Sequence, residues 1–317
     1  MSRTTEFEEL RPLLFAIGYR ILGSVSDAED AVQETWLRWA ATPTEPASAR
    51  SWLSTVVTRI SIDVLRSARV RREAYPGPWF PEPLVTDPYQ DPERATELAD
   101  SVSTAALVLL ERLSPLERAV FVLHEVFGYS FAEVAATVDR SEAACRQLAV
   151  RARSHMREGR PRFEADRRVA AELAGRFLDA VSLGDVEALR ELLAQDATYV
   201  ADAGGKAPLW GDGVFVGDHL VRLLAAMAPH MAGLGVRLDA SPVNGAPGAI
   251  MRSADGRVVG TWALDVLDGR IQTIRTVINP DKLGHLGHVG DAWALERELR
   301  ERRRRERTVG PEDAPSP

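Results

Sequence analysis

The sequence predicts a multidomain chain, two all-α modules followed by an α+β domain, on three observations. Apolar residues recur at three-and-four spacing from Leu10 to about Met156. A proline-rich, acidic stretch interrupts that pattern at 73–106. Beyond about residue 236 the period shortens to two, with Asp255-Gly256 and Asp268-Gly269 as hairpin turn signals. A length of 317 residues fits two or three domains. With 45% hydrophobic and 27% charged residues the chain has globular composition, which excludes a disordered or fibrous protein.

Residues 1–72 read as a helical module. Leu10, Leu13, Leu14, Ile17, Ile21 and Leu22 form one stripe, and Ser26 with Glu29 has the spacing of a capping box opening the next helix. A third helix from about Ser48 to Arg69 carries Trp52, Leu53, Val56, Val57, Ile60, Val64 and Leu65. In the linker, 73–106, six prolines between Pro76 and Pro92 remove backbone donors and extend their neighbours. The second module, 107–164, follows a helix spanning about Ala95 to Leu113. It has a helix from Pro115 to Phe127, a short helix over Ser130–Val138, a turn at Asp139 and Arg140, and a helix capped by Ser141 that runs to about Met156. Two short helices about a tight turn, the second rich in arginine, have helix-turn-helix dimensions. In 165–283 helices near 168–183, 185–194 and 217–231 accompany strands at 198–201, 236–243, 248–253, 257–267 and 270–278, expected to pair antiparallel. A charged tail, 284–317, closes the chain as a solvated helix.

Charge is distributed unevenly. The formal net charge of -7 argues, taken whole, against an indiscriminate nucleic-acid binder. Residues 73–106 alone hold 7 acids and 1 base, whereas the flanking helical modules are mildly basic. The single cysteine, Cys145, excludes an intramolecular disulfide framework and a cysteine-rich zinc module. No run of 18 apolar residues and no basic-then-apolar leader occurs, so no membrane partner and a cytoplasmic location are expected.

Two ordered segments carry a resemblance. Asp27 to Trp39, reading Asp-Ala-Glu-Asp-Ala-Val-Gln-Glu-Thr-Trp-Leu-Arg-Trp, resembles region 2.2 of extracytoplasmic-function sigma factors. Leu113 to Phe121 and Gly128 to Ala135 resemble their region 4. The C-terminal domain looks like a SnoaL or NTF2-like cone, the extension of a sigma-factor subgroup. Three short motifs resemble those of that subgroup: Trp79-Phe-Pro-Glu-Pro83, Asp202-Ala-Gly-Gly-Lys206 and Asn279-Pro-Asp-Lys-Leu283. Ala203 replaces a glycine of the subgroup pattern and would be strained if the loop required positive φ there.

The resemblance implies a factor that binds core RNA polymerase, through its clamp helices and flap, and promoter DNA. It implies no cofactor, no catalytic residue and a monomer when free. Asp27, Asp30, Gln33, Glu34 and Leu37 fall on neighbouring helix turns, an acidic face with an apolar strip suited to a basic coiled coil. The other reading of this face is a solvated first turn favoured by the helix dipole. Arg50, Trp52, Arg59, Asp63, Arg66 and Arg69 are expected against the unwound -10 element, Trp52 equally readable as core. Ser141, Glu142, Arg146 and Gln147 open the recognition helix for the -35 element, and Arg151 and Arg153 face backbone phosphates.

The C-terminal domain has two readings. As a fused regulator it works through the interdomain motifs Trp79, Pro81, Glu82, Pro83, Asp202, Gly204, Gly205, Lys206, Asn279, Pro280, Asp281, Lys282 and Leu283, attachment giving weak docking a high effective concentration. Alternatively its pocket binds or converts a small molecule, as an isomerase or cyclase would, with Tyr199, Asp202, Trp210, His219 and Asp265 as candidate proton-transfer groups. His285 and His288 have His-x-x-His spacing without further ligands, so no metal site is expected.

Overall fold

A computed structural model describes residues 2–43, 46–89, 102–158, 166–209 and 213–308. The chain divides into two compact units, 1–162 together with 242–246, and 163–241 together with 247–317.

In the first unit α1 (Arg3–Leu22), α2 (Val25–Ala41) and α3 (Ala49–Glu73) pack around Leu14, Ile17, Ile21, Val32, Leu53 and Val57. Gly23 ends α1 in the left-handed conformation at φ 68°, and a Cβ there would stand 3.1 Å from the Trp79 ring, so glycine relieves backbone strain and lets the linker tryptophan lie close over the turn. The capping box expected of Ser26 and Glu29 is not formed. Ser24 is the N-cap of α2, accepting from the Asp27 N–H at 3.0 Å, while Glu29 pairs with Arg11. The helix begins two residues earlier because a linker carboxylate satisfies its first donors. The stretch 102–158 contains α4 (Thr104–Leu110), α5 (Pro115–Phe121), α6 (Phe131–Val138) and α7 (Glu142–Glu158). Ser114 with Glu117 and Ser130 with Glu133 make full capping boxes, with Pro115 in the first turn. The helix read as continuous to Phe127 changes at Val122–Val126 into a π-helical turn. The earlier part of the helix expected from Ala95 falls outside the described residues.

The second unit has α8 (Arg167–Leu183) and α9 (Val186–Leu192), then β1 (Leu193–Asp202), β2 (Val214–Val216), α10 (Gly217–Gly233), β3 (Arg237–Ala240), β4 (Gly248–Arg252), β5 (Val258–Leu267), β6 (Arg270–Val277) and α11 (Ala292–Thr308). The sheet order is β2-β1-β6-β5-β4-β3. Every pairing is antiparallel except β1 with β6, which is parallel and corrects the all-antiparallel expectation. The long connection through α10 and the β3–β6 meander brings β6 back beside β1 in the same direction. Asp268 (φ 52°) and Gly269 (φ 68°) form the two-residue turn between β5 and β6. The short strand β2 has no counterpart among the expected strands.

The helix-facing core holds Phe177, Leu189, Leu224, Trp262, Leu264 and Ile274. Leu295 packs against this core and Leu299 is buried, so α11 has an apolar face as well as a solvated one.

Candidate nucleic-acid interface

On α2, Asp27, Asp30, Glu34 and Leu37 follow one another at helical spacing. Ala28, Ala31, Val32, Thr35 and Trp39 bury the opposite side. Asp30, Gln33 and Leu37 are exposed, Leu37 by 56%, a large value for an apolar side chain left uncovered by the described residues of the unit. Glu34 is held by Arg38 at 2.8 Å.

The α3 residues divide. Trp52 is half-buried with its ring 5.3 Å from that of Trp39, a core contact. Arg50 is exposed, its guanidinium 6.0 Å from the Tyr129 ring centre. Arg59 donates to the carbonyls of Thr137 at 2.8 Å and Ala136 at 2.9 Å, capping the C-terminal end of α6. Next to it Ser54 shares a 2.7 Å hydrogen bond with Tyr129, and Thr55 one of 3.0 Å with Thr137. Asp63 and Arg66 form an exposed pair at 3.1 Å. Arg69 lies on α3, with its side chain outside the described residues.

On α7, Ser141 accepts from the Ala144 N–H at 3.2 Å, and Glu142, Arg146 and Gln147 are exposed. Arg146 pairs with Glu142 and stands 5.5 Å over the Phe131 ring, which fixes its direction one turn into the helix. Arg151 and Arg153 are less free than expected for phosphate contacts. They pair with Glu117 at 2.7 Å and Glu125 at 3.5 Å. Burial raises the Glu117 pKa, but hydrogen bonds from Arg151 and Ser114 outweigh it and hold the carboxyl below its ordinary value. Cys145 is buried on the packed side of α7, where burial pushes its thiol up and away from reactivity.

The linker motif is built into the first unit. The Glu82 carboxylate accepts from the N–H groups of Val25 at 2.8 Å and Ser26 at 3.1 Å, and from the hydroxyls of Ser24 at 2.9 Å and Ser26 at 3.0 Å. An anion thus sits on the N-terminus of α2, where free donors and the helix dipole both favour it. Trp79 is half-buried, and Phe80, Pro81, Pro83 and Leu84 are buried around Glu82. Tyr19 donates to the Glu82 carbonyl at 2.6 Å, and burial keeps its hydroxyl protonated. Asn244, in the left-handed region at φ 53°, receives the Leu84 N–H at 3.2 Å, gives its own N–H to the Leu84 carbonyl at 2.7 Å and donates to the Tyr19 hydroxyl. Sequence reasoning missed Tyr19 and Asn244. The Asn244-Gly245 pair was the available signal, a turn with two positive-φ positions.

The other two motifs meet each other within the second unit. Asp202, fully buried, pairs with Lys282 at 2.6 Å, and Lys206 pairs with Asp281. The Asp202 carbonyl accepts from the Asn279 N–H at 3.1 Å, and Asn279 caps the turn containing Pro280, with Leu283 buried behind it. Gly204 and Gly205 take φ 55° and 69°, whereas Ala203 stays out of that region and replaces glycine without strain.

Among the described residues the candidate proton-transfer groups are engaged separately. Asp202 is committed to Lys282, Asp265 pairs with Arg275, and His219 stacks edge-on to Phe215 at 5.4 Å. Tyr199 lines a cavity, and Trp210 lies outside the described residues. His285 and His288 are exposed.

The sequence pattern of Sigma-70 region 2 matches residues 7–71, and that of Sigma-70, region 4 matches residues 103–156. The ECF RNA polymerase sigma factor SigJ of Mycobacterium tuberculosis strain H37Rv is 41% identical over 287 residues, covering 88% of this chain and 92% of that one. The chain belongs to the extracytoplasmic-function sigma factors. A second relative, the probable ECF RNA polymerase sigma factor SigI of the same species, is 32% identical over 87% of this chain and 93% of its own. The crystal structure of Mycobacterium tuberculosis SigJ superposes with a TM-score of 0.69 at 38% identity, over 89% of this sigma factor and 98% of SigJ. The protein is therefore a transcription initiation factor that binds core RNA polymerase and promoter DNA, a non-catalytic role. Among the described residues no helix is long and apolar enough to cross a membrane.

Proposed function

We propose that this sigma factor, a monomer when free, alternates between a closed form, in which the -10 face of α3 is occupied by region 4, and an open form that engages polymerase, and that its SnoaL-like domain biases that equilibrium. The contact of Arg59 with the Ala136 and Thr137 carbonyls carries the reading. The guanidinium expected against the unwound -10 element is spent on a helix end, with Ser54 and Thr55 engaged beside it. In the open form Asp27, Asp30, Gln33, Glu34 and Leu37 face the polymerase clamp helices, α7 reads the -35 element, and region 4 rests on the flap. The regulatory reading draws support from Asn244, contributed to the first unit by the segment 242–246 and joined to the linker at Leu84.

The test is transcription by full-length protein with core polymerase on a genomic promoter library, beside Asn244→Ala. A two-element promoter class should emerge, with the variant changing output severalfold at those same promoters. Absence of promoter selection would refute the initiation reading, and unchanged output with Asn244→Ala would refute the regulatory one.

A further inference from the structure

The second unit has a half-open pocket of about 150 Å³ between β1, β4 and β5, α10 and α11. Its walls are apolar, and three of the five methionines of the chain, Met227, Met231 and Met251, line it together with Trp262. Ala292, Leu295, Glu296 and Leu299 line it from α11. An apolar pocket of this volume has room for a benzene-sized guest. Methionine adapts to irregular shapes and favours aromatic faces through its sulfur. The polar groups are few, His230, Glu296 and Tyr199 beside the Trp262 indole, whose buried N–H has no hydrogen-bond partner among the described residues. Glu296 is held by Arg300 at 2.8 Å, and burial raises the Tyr199 pKa, so that its phenol stays neutral. A charged guest would lose its hydration without a counter-ion in such a site.

We infer that this cavity is a binding site for an uncharged one- or two-ring aromatic molecule, and that α11 is its lid. The helix is suited to closing and opening because its inner face is thin. Beyond Ala292, Leu295 and Leu299 its side chains are predominantly charged, and Arg297, Arg300 and Arg302 are exposed. Its first turn is tethered by the Trp293 indole, which donates to the Lys206 carbonyl at 3.0 Å. A guest adds apolar contact beneath Leu295 and Leu299 and so holds the lid shut.

Indole serves as the probe, being uncharged, bicyclic and soluble. Titration of the full-length protein by calorimetry should give saturable binding at one site with Kd on the order of 0.1 mM. Saturating indole should also slow tryptic cleavage at Arg297 to Arg305 severalfold, a readout of the lid rather than of affinity. Met231→Trp, which fills the cavity from a half-buried position, should abolish both effects while the thermal transition is retained. Leu299→Ser should accelerate cleavage without indole. Absence of saturable binding, binding that survives in Met231→Trp, or binding without protection of the arginines would each overturn the inference. No polymerase or DNA is present, so the outcome stands apart from the promoter test.

Discussion

Arg146 shows how a single contact can specify a reading residue. On α7 it is exposed, yet the Phe131 ring and Glu142 hold it one turn from the helix start, where an arginine can present both donors to a guanine edge. Arg146→Ala should cost roughly 1–3 kcal/mol at one base pair and relax preference there. Binding measured over a promoter series substituted at each -35 position checks this, and uniform weakening at every position would make Arg146 a phosphate contact instead. Glu117 offers a pH-dependent test. Because its folded pKa is depressed, its stabilising contribution is complete above the ordinary carboxyl value of 4.5 and is lost as pH falls from there through the lower folded value. Glu117→Gln should destabilise the protein by about 1 kcal/mol at pH 7, limited by the exposure of Arg151, and the difference should vanish in acid. Urea unfolding of both proteins across that range measures it, and a difference constant with pH would remove the charge from the explanation.

The packing of α3 on α6 makes the closed form testable without DNA. Tyr129→Phe deletes the buried hydroxyl bonded to Ser54, a loss of about 1 kcal/mol that falls on the closed form alone. Dyes placed on α2 and α7 should report a longer mean distance in the variant, and affinity for core polymerase should rise. An unchanged distance distribution would show that the contact restrains nothing. The same elements show what could be read in advance. The helix starts at Pro115 and Ser130 and the Asp-Gly turns declared themselves through local spacing, because cap and turn chemistry act within four residues. The start of α2 did not, since its donors are satisfied by Glu82, more than fifty residues away. The parallel pairing of β1 with β6 was likewise hidden, because period-two alternation specifies a face and not a partner. The apolar face of α11 was obscured by the charges around Leu295 and Leu299.

Across the molecule the arginine bias separates two kinds of surface. Every basic side chain assigned to polymerase or DNA is an arginine, while the only two lysines, Lys206 and Lys282, lie in the loops that pair with Asp281 and Asp202. Lys282 is buried and Lys206 is more than half exposed. Amine-selective acylation therefore spares the basic groups of the promoter-reading helices and leaves one reactive side-chain amine, at Lys206. An affinity handle or fluorophore attached there marks the junction of the Asp202–Lys206 and Asn279–Leu283 motifs while the initiation machinery keeps its native charge.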